Sequence, residues 1–271
     1  MAKSGSLRLS DMRAIFRLVN ECRELGDDSV AWRLRFASGL GHLTGGGMGI
    51  IGEMAGCDRG PRQDLGTAFW GTENGYDWAA WAKMLTTFHK NPLYNPLINS
   101  YIARMPSELG SCLARTDLLT DREWHQQADY LALHRSVGAD ETLVCFYPVP
   151  GAADEVSEVF LGREIGDRDF SQRDRAIVRE AMAGIGPLIG GPLARFADPS
   201  PSGLAPRARA VLKCMLEGDS DKQVAARLGL TRNTVNQYAK TIYTHFGVRS
   251  RTELLARWVR RGWGRKLGWA D

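Results

Sequence analysis

The 271-residue sequence predicts an α+β fold class with two domains, an N-terminal α/β/α sandwich and a C-terminal all-α domain of four helices. Three observations lead to this prediction. Helices and short apolar strands alternate through the first two thirds of the chain, two closely spaced amphipathic helices follow at 220–246, and a connector rich in Pro, Ser and Gly lies between the two regions. We place the domains at 1–197 and 204–271, joined by a linker at 198–203.

The N-terminal domain begins with apolar residues at helical spacing and continues with short strands. We expect helices at 9–25 and 29–41, a strand at 48–54 after three glycines, and a second strand at 66–71. Helical patterns follow at 77–89 and, in whole or part, at 121–135. The apolar runs 142–149 and 157–164 predict two further strands, and Ser171 caps a long helix that leads to the linker.

Composition limits the class of protein. With 44% hydrophobic residues the chain can form two true cores. Its five cysteines are scattered, with neither a CxxC pair nor a Cys/His cluster, so we expect no disulfide framework, no metal and no cofactor. We also find no secretory leader and no apolar run of membrane-spanning length, and therefore expect a cytoplasmic protein that does not contact the membrane.

Charge is divided unequally between the two regions. Residues 204–271 contain 14 basic and 5 acidic residues, a net charge of +9, whereas residues 1–203 contain 21 and 26, a net charge of −5. A basic domain joined to an acidic one is typical of a protein that binds nucleic acid through one of its domains. Several arginines beyond 248 extend this basic character, although those near the end of the chain would equally suit the C-terminus of a solvated helix.

The second amphipathic helix, which starts near Thr231, separates its apolar and polar faces. Four apolar residues recur at offsets of four, seven and eleven and so form one stripe: Val235, Ala239, Ile242 and Phe246. The opposite stripe contains amides, a lysine and a hydroxyl but no carboxylate: Asn233, Asn236, Gln237, Lys240 and Thr244. A polar face without acids suits contact with phosphates and base edges, so this helix predicts binding to double-stranded DNA.

The residues around the turn favour a helix-turn-helix. Ser220 and Gln223 form a capping-box pattern that opens the first helix. Gly229 fits a left-handed turn position, and Thr231 can cap the second helix. Two packed helices of an ordinary bundle would explain Ala225 and Val235, but not the missing acids.

Residues 204–261 resemble the DNA-binding domain of LuxR-type regulators. The resemblance is carried by Lys222-Gln223-Val224-Ala225, Leu228-Gly229-Leu230, Thr234-Val235 and Phe246-Gly247-Val248. It implies helices starting near Pro206, Ser220, Thr231 and Ser250, of which the last commonly pairs two copies. By position, the implied base-facing residues are Asn233, Asn236, Gln237 and Lys240. The implied phosphate-facing residues are Lys222, Thr231, Thr234, Tyr238 and Arg251.

This sequence departs from the family pattern at a few positions. Ala208 and Gln223 replace carboxylates, and Tyr238 replaces a residue such as histidine. Asn236 and Gln237 stand where basic or aliphatic residues are common, and either amide can contact adenine through two hydrogen bonds. We therefore expect an unusual site preference. A homodimer would read a pseudo-palindromic site with half-sites about 10 bp apart.

The N-terminal domain resembles GAF-like sensor domains and the related autoinducer-binding domains, through its element order and the run Phe170–Arg175. The resemblance implies a domain that senses a small-molecule signal or a regulatory protein and controls DNA binding. Aromatic residues in the middle of the domain are candidates for a ligand pocket, although such clusters also form cores and dimer surfaces. The candidates are Trp70, Trp78, Trp81 and Tyr94.

Two alternatives remain for the N-terminal domain. It could be a docking or dimerisation module without a small ligand, which the sequence does not distinguish from a sensor. It could also be an enzyme tethered to DNA, but we find no combination of nucleophile, base and orienting residue in the sequence, so we expect no enzymatic activity.

Overall fold

A computed structural model describes residues 6–56, 63–77, 79–83, 97, 100–101, 110, 112–127, 134–135, 138–152 and 154–261. The chain divides into two compact units. The first comprises Met1–Cys22 with Val30–Ile189, and the second comprises Arg23–Ser29 with Gly190–Asp271.

The first unit contains helices and strands in mixed order, as an α+β chain requires. Its helices are α1 (Leu9–Glu24), α2 (Ala31–Thr44), α3 (Arg115–Leu118), α4 (Asp121–His125) and α5 (Gln172–Ile185). Its strands are β1 (Met48–Ala55), β2 (Gln63–Trp70), β3 (Cys112–Ala114), β4 (Ala139–Pro148) and β5 (Glu155–Glu164).

The five described strands form one antiparallel sheet in the order β2-β1-β5-β4-β3. Strand β5 lies at the centre, where Val159 pairs with Ile51 of β1 on one side and with Cys145 of β4 on the other. A sheet with largely apolar strands must be covered on both faces. Strand β1 is buried along nearly its whole length.

Helices α2 and α5 cover one face, where Gly49 of β1 lies against Ala37 of α2. The other face carries a separate apolar cluster in which Trp124 and Tyr101 pack against Val144 and Phe146 of β4. The predicted α+β class is therefore confirmed, and side chains pack on both faces of the sheet.

A buried arginine joins the layers near the start of α5. The Arg163 guanidinium lies 3.9 Å from the centre of the Phe170 ring and donates to the carbonyls of Arg168 and Asp169 at 2.8 Å. It also donates to the Thr44 carbonyl at the end of α2 and to the Asp174 carboxylate at 3.2 Å. One side chain thus holds the end of β5, the end of α2 and the first turn of α5 together.

The structure adds two short elements to those predicted, and it shows two of the predicted helices in part. Strand β3 and helix α3 were not predicted, because three and four residues are too short to show a periodic pattern. The helix predicted at 121–135 begins with a capping box of Thr120 and Glu123 but ends at His125. Of the helix predicted at 77–89, residues 79–83 are helical and residues 84–89 lie outside the described part.

The second unit is helical. It contains α6 (Pro206–Leu216), α7 (Asp221–Leu228), α8 (Arg232–Phe246) and α9 (Arg251–Arg261), packed around a shared apolar core. The residues predicted as a linker also make contacts here. The imidazole of His245 lies 2.8 Å from the Ser200 carbonyl oxygen, and Arg261 forms a two-pronged ion pair with Asp198.

Among the described residues, no helix is both long and apolar enough to cross a membrane, and no group of His, Cys, Asp and Glu side chains has the arrangement of a metal site.

We predict that Asp174→Asn destabilises the first unit at neutral pH. Burial raises the pKa of Asp174, but hydrogen bonds from Ser171 and Arg168 outweigh burial and hold that pKa below its ordinary value of 3.8. The ionised Asp174 carboxylate therefore stabilises the folded state above pH 3.8. This stabilisation is lost as the pH falls through the lower pKa that Asp174 has in the folded state. Asp174→Asn should cost about 1–3 kcal/mol in urea unfolding at about pH 7.

The cost should shrink as the pH falls below about 3.8, because proton uptake by the carboxyl group then favours the unfolded state. Asp169→Asn is the matched control, since Asp169 is exposed and offers Arg163 only its backbone carbonyl. Equal losses for the two variants, or a loss for Asp174→Asn that does not change with pH, would contradict this role.

Candidate nucleic-acid interface

The orientation of α8 is fixed by its apolar stripe. Val235 and Ile242 are fully buried, and Phe246 and Ala239 are at most 7% exposed, all within the core shared with the other helices of the unit. The predicted stripe is confirmed. Because the buried side of a helix determines which side faces water, the opposite face of α8 is presented to solvent.

The turn between α7 and α8 has the predicted geometry. Gly229 adopts φ +63° and ψ +38°, a left-handed conformation, and its amide donates to the Ala225 carbonyl. The Thr231 hydroxyl accepts from the Thr234 amide at 3.1 Å, so Thr231 caps α8. At the start of α7, the Gln223 side-chain oxygen accepts from the Ser220 amide at 2.8 Å.

The side chains on the solvent face of α8 are available for binding. All four residues predicted to face bases are exposed, and within the described residues their side chains take no hydrogen bond or ion pair: Asn233, Asn236, Gln237 and Lys240. A free carboxamide offers a donor and an acceptor side by side, which matches the N6 and N7 atoms of adenine in the major groove. Helix α8 contains no carboxylate that would repel phosphate.

The residues predicted to face phosphates fall into different environments. Lys222, near the start of α7, is exposed, as is Thr231. Thr234 is half-buried, and Tyr238 is half-buried against the core of the unit. Arg251 donates to the Met215 carbonyl at 2.7 Å and so already has a partner at the end of α6. Contact with phosphate stays a prediction for all five.

Other basic residues of the unit are also engaged within it. The Arg227 guanidinium pairs with the carboxylates of Glu217 and Asp219, and together these raise its pKa. Arg257 donates to the Phe246 carbonyl at the last residue of α8, as expected of a cation at a helix C-terminus. Arg265 and Lys266 lie outside the described residues.

Arg232 is a further candidate for DNA contact that sequence reasoning did not include. It is the first residue of α8, it is exposed, and it stands beside the free side chains of that helix. A basic residue at the N-terminus of a helix whose polar face lacks acids was the available signal.

Of the aromatic residues predicted for a ligand pocket, the two that the structure describes are not brought together. Trp70 lies against α2, with its ring 5.8 Å from that of His42, whereas Trp81 is fully buried on the opposite face of the sheet. Trp78 and Tyr94 lie outside the described residues. A single pocket lined by both Trp70 and Trp81 is therefore not formed.

Comparison with known proteins identifies the second unit. A family model described as bacterial regulatory proteins, luxR family, matches residues 202–258. A probable HTH-type transcriptional regulator, GfsR of Streptomyces halstedii, is 38% identical over 66 residues. That alignment covers 24% of this chain and 27% of GfsR, so the chain aligns with little more than a quarter of that relative.

Solved structures match over a larger share of the chain, but weakly. Escherichia coli SdiA has a TM-score of 0.40 and 13% identity, covering 93% of this chain and 98% of SdiA. The crystallised LBD domain of VqsR from Pseudomonas aeruginosa has a TM-score of 0.43 and 14% identity, covering 66% of this chain and 97% of the domain. Likeness at this level carries no argument about activity.

The specific match lies in the second unit, and its helices, left-handed turn and capped α8 agree with it. Residues 202–258 therefore form a helix-turn-helix domain of the LuxR family of bacterial regulatory proteins.

Proposed function

We propose that this chain is a transcriptional regulator that binds double-stranded DNA through α8. The observation that carries the proposal is the solvent face of α8, where three free carboxamides and one free lysine stand together without a carboxylate. Direct readout needs unpaired donors and acceptors on an element narrow enough for the major groove, and an α-helix fits that groove. The family match of the surrounding domain supports the same role.

The regulator acts as a homodimer in this proposal, with α9 as the pairing helix. Val259 on α9 is 76% exposed, and Leu255, one turn earlier, is half-buried. Thr252 continues the same stripe, since offsets of three and seven fall on one side of a helix. Two domains paired in this way would place two copies of α8 on successive turns of the duplex.

The first unit serves as the sensor in this proposal. It is a separate compact unit with its own sheet and buried clusters, as expected of a domain that binds a signal independently of DNA. The signal is a small molecule or a regulatory protein, and the protein acts in the cytoplasm without contacting the membrane.

The proposal is tested by selection from a pool of random duplexes with the full-length protein, at two salt concentrations. We expect enrichment of a two-fold symmetric motif, with binding that weakens steeply as salt rises because counterions are released from phosphates. Enrichment of no motif, in the presence and absence of cell extract as a source of signal, would contradict the proposal.

We predict that Gln237→Ala relaxes base preference. Loss of two hydrogen bonds to one base should reduce discrimination at that position by about 1–3 kcal/mol while leaving binding to random duplex nearly unchanged. Competition binding between the selected duplex and single-base variants measures this. An equal loss on selected and random duplex would show that Gln237 does not read a base.

We predict that Lys222→Ala weakens binding to every duplex alike. Removal of one phosphate contact should reduce the slope of log K against log salt by about 1. Arg227→Ala is the matched control on the same helix, since its guanidinium is neutralised by Glu217 and Asp219 and should leave the slope unchanged. If both variants reduced the slope equally, phosphate contact could not be assigned to Lys222.

We predict that Val259→Glu disrupts the dimer. A carboxylate in the middle of an apolar pairing surface must be buried without a partner, which costs more than the apolar contact gains. Sedimentation should show a dimer for the wild type and a monomer for Val259→Glu, with binding to the symmetric site weakened at least tenfold. The neighbouring exposed residue gives the control, Arg260→Gln, which should stay dimeric. A dimeric Val259→Glu protein would place the pairing surface elsewhere.

A further inference from the structure

Two cysteines lie directly opposite each other in the sheet of the first unit. Cys112 of β3 pairs with Cys145 of β4 in antiparallel register, although the two are 33 positions apart in the sequence. Directly opposed residues of an antiparallel pair point to the same face of the sheet. Both thiols therefore lie on the face that α5 covers, and the charges of Arg179 and Glu180 on α5 act on Cys112.

The spacing of the two residues suits a disulfide. Opposed Cα atoms in an antiparallel pair are about 4.5 or about 5.5 Å apart, and both values fall within the range of about 4.4–6.8 Å found in disulfides. The Cβ atoms must approach to about 3.8 Å from the usual cross-strand spacing of about 4.5–5.5 Å. Strand β3 has three residues and lies at the end of the described sheet, so this small movement displaces few neighbours.

A hydrogen bond already holds the two sulfur atoms together. The Cys145 thiol donates to the Gly110 carbonyl at 4.0 Å. The Cys112 thiol also shares a hydrogen bond with Cys145. Since the Cys145 proton points to Gly110, Cys112 is the donor to the Cys145 sulfur. Each sulfur thus faces the other without a side chain between them.

Burial keeps Cys112 protonated at neutral pH. Burial raises the pKa of Cys112 well above its ordinary value of 9.0, the hydrogen bond with Cys145 raises it further, and Arg179 opposes the rise. Cys112 is 8% exposed whereas Cys145 is fully buried, so an oxidant reaches Cys112 first. Selective oxidation of this pair must come from the proximity of the two sulfurs and not from a low pKa.

We propose that Cys112 and Cys145 are a site of oxidative modification, at which a peroxide converts the two thiols into a reversible disulfide. Disulfides that form in the cytoplasm are usually transient and report on redox conditions. A pair that is aligned but reduced suits that use. The inference does not depend on the proposed binding to DNA.

The reaction proceeds in two steps. The Cys112 sulfur attacks one oxygen of hydrogen peroxide, the O–O bond breaks, and the sulfenic acid forms while the other oxygen leaves as water with the thiol proton. The Cys145 sulfur then attacks the Cys112 sulfur, the S–O bond breaks, and a second water leaves with the Cys145 proton. The two sulfurs lose two electrons, which the peroxide oxygens gain.

The experiment treats the reduced full-length protein with hydrogen peroxide and then removes the excess with catalase. The remaining thiols are alkylated with iodoacetamide under denaturing conditions, and the peptides are mapped by mass spectrometry. We expect a pair of peptides joined through Cys112 and Cys145, with neither residue alkylated. Treatment with reduced glutathione before alkylation should restore both thiols by thiol–disulfide exchange.

Cys22 is the matched control within the same molecule. It is as deeply buried as Cys145, but the side chains that act on it are Arg35 and Glu21, not a second thiol. Oxidation of the Cys112–Cys145 pair should exceed that of Cys22 at least tenfold. Cys57 lies outside the described residues, so the mapping is repeated with Cys57→Ser, which should give the same link.

A variant separates the two steps. In Cys145→Ser the sulfenic acid of Cys112 has no thiol to meet, so dimedone should label Cys112 at least tenfold more than in the wild type. The inference is overturned if both cysteines remain alkylated after peroxide, if either links to another cysteine or to a second molecule, or if glutathione fails to restore the thiols. Mapping of the wild type decides these outcomes even if Cys145→Ser does not fold.

Discussion

The burial of one stripe of α8 determines most of what the second unit can do. Val235, Ile242 and Phe246 are held in a core to which every helix of the unit contributes, so α8 cannot rotate without exposing them. The same constraint presents its amides and Lys240 to solvent on the other side. The left-handed Gly229 and the Thr231 cap then set where this face begins. Packing in the core thus places the groups that would read DNA.

Much of the second unit could be predicted from the sequence, because its signals are local. The apolar stripe, the Gly229 turn and the Thr231 cap each depend on residues a few positions apart, and all three are confirmed. The engagement of Arg251 with the Met215 carbonyl could not be predicted, because it joins residues 36 positions apart. A count of charges treats every arginine as available for DNA. In the folded unit, however, some arginines already pair with a carbonyl or with carboxylates.

The first unit was harder to predict from the sequence, because its architecture depends on contacts between distant residues. Strands β1, β4 and β5 were found from their apolar runs, but their order in the sheet depends on pairing between distant residues such as Ile51 and Val159. Aromatic density suggested Trp70 and Trp81 as neighbours, yet they lie on opposite faces of the sheet. No pattern in the sequence indicated that His134 would be buried. Its place among aromatic rings, with both nitrogens unpartnered in the described structure, depends on the packing of remote segments.

In the proposed mode of DNA binding, the solvent face of α8 enters the major groove. Photocrosslinking to a selected duplex that carries 5-iodouracil would detect this contact, since the iodine replaces the thymine methyl group in that groove. We expect mass spectrometry to map the crosslinks to residues 232–240. Crosslinks confined to α6, α9 or the first unit would contradict it.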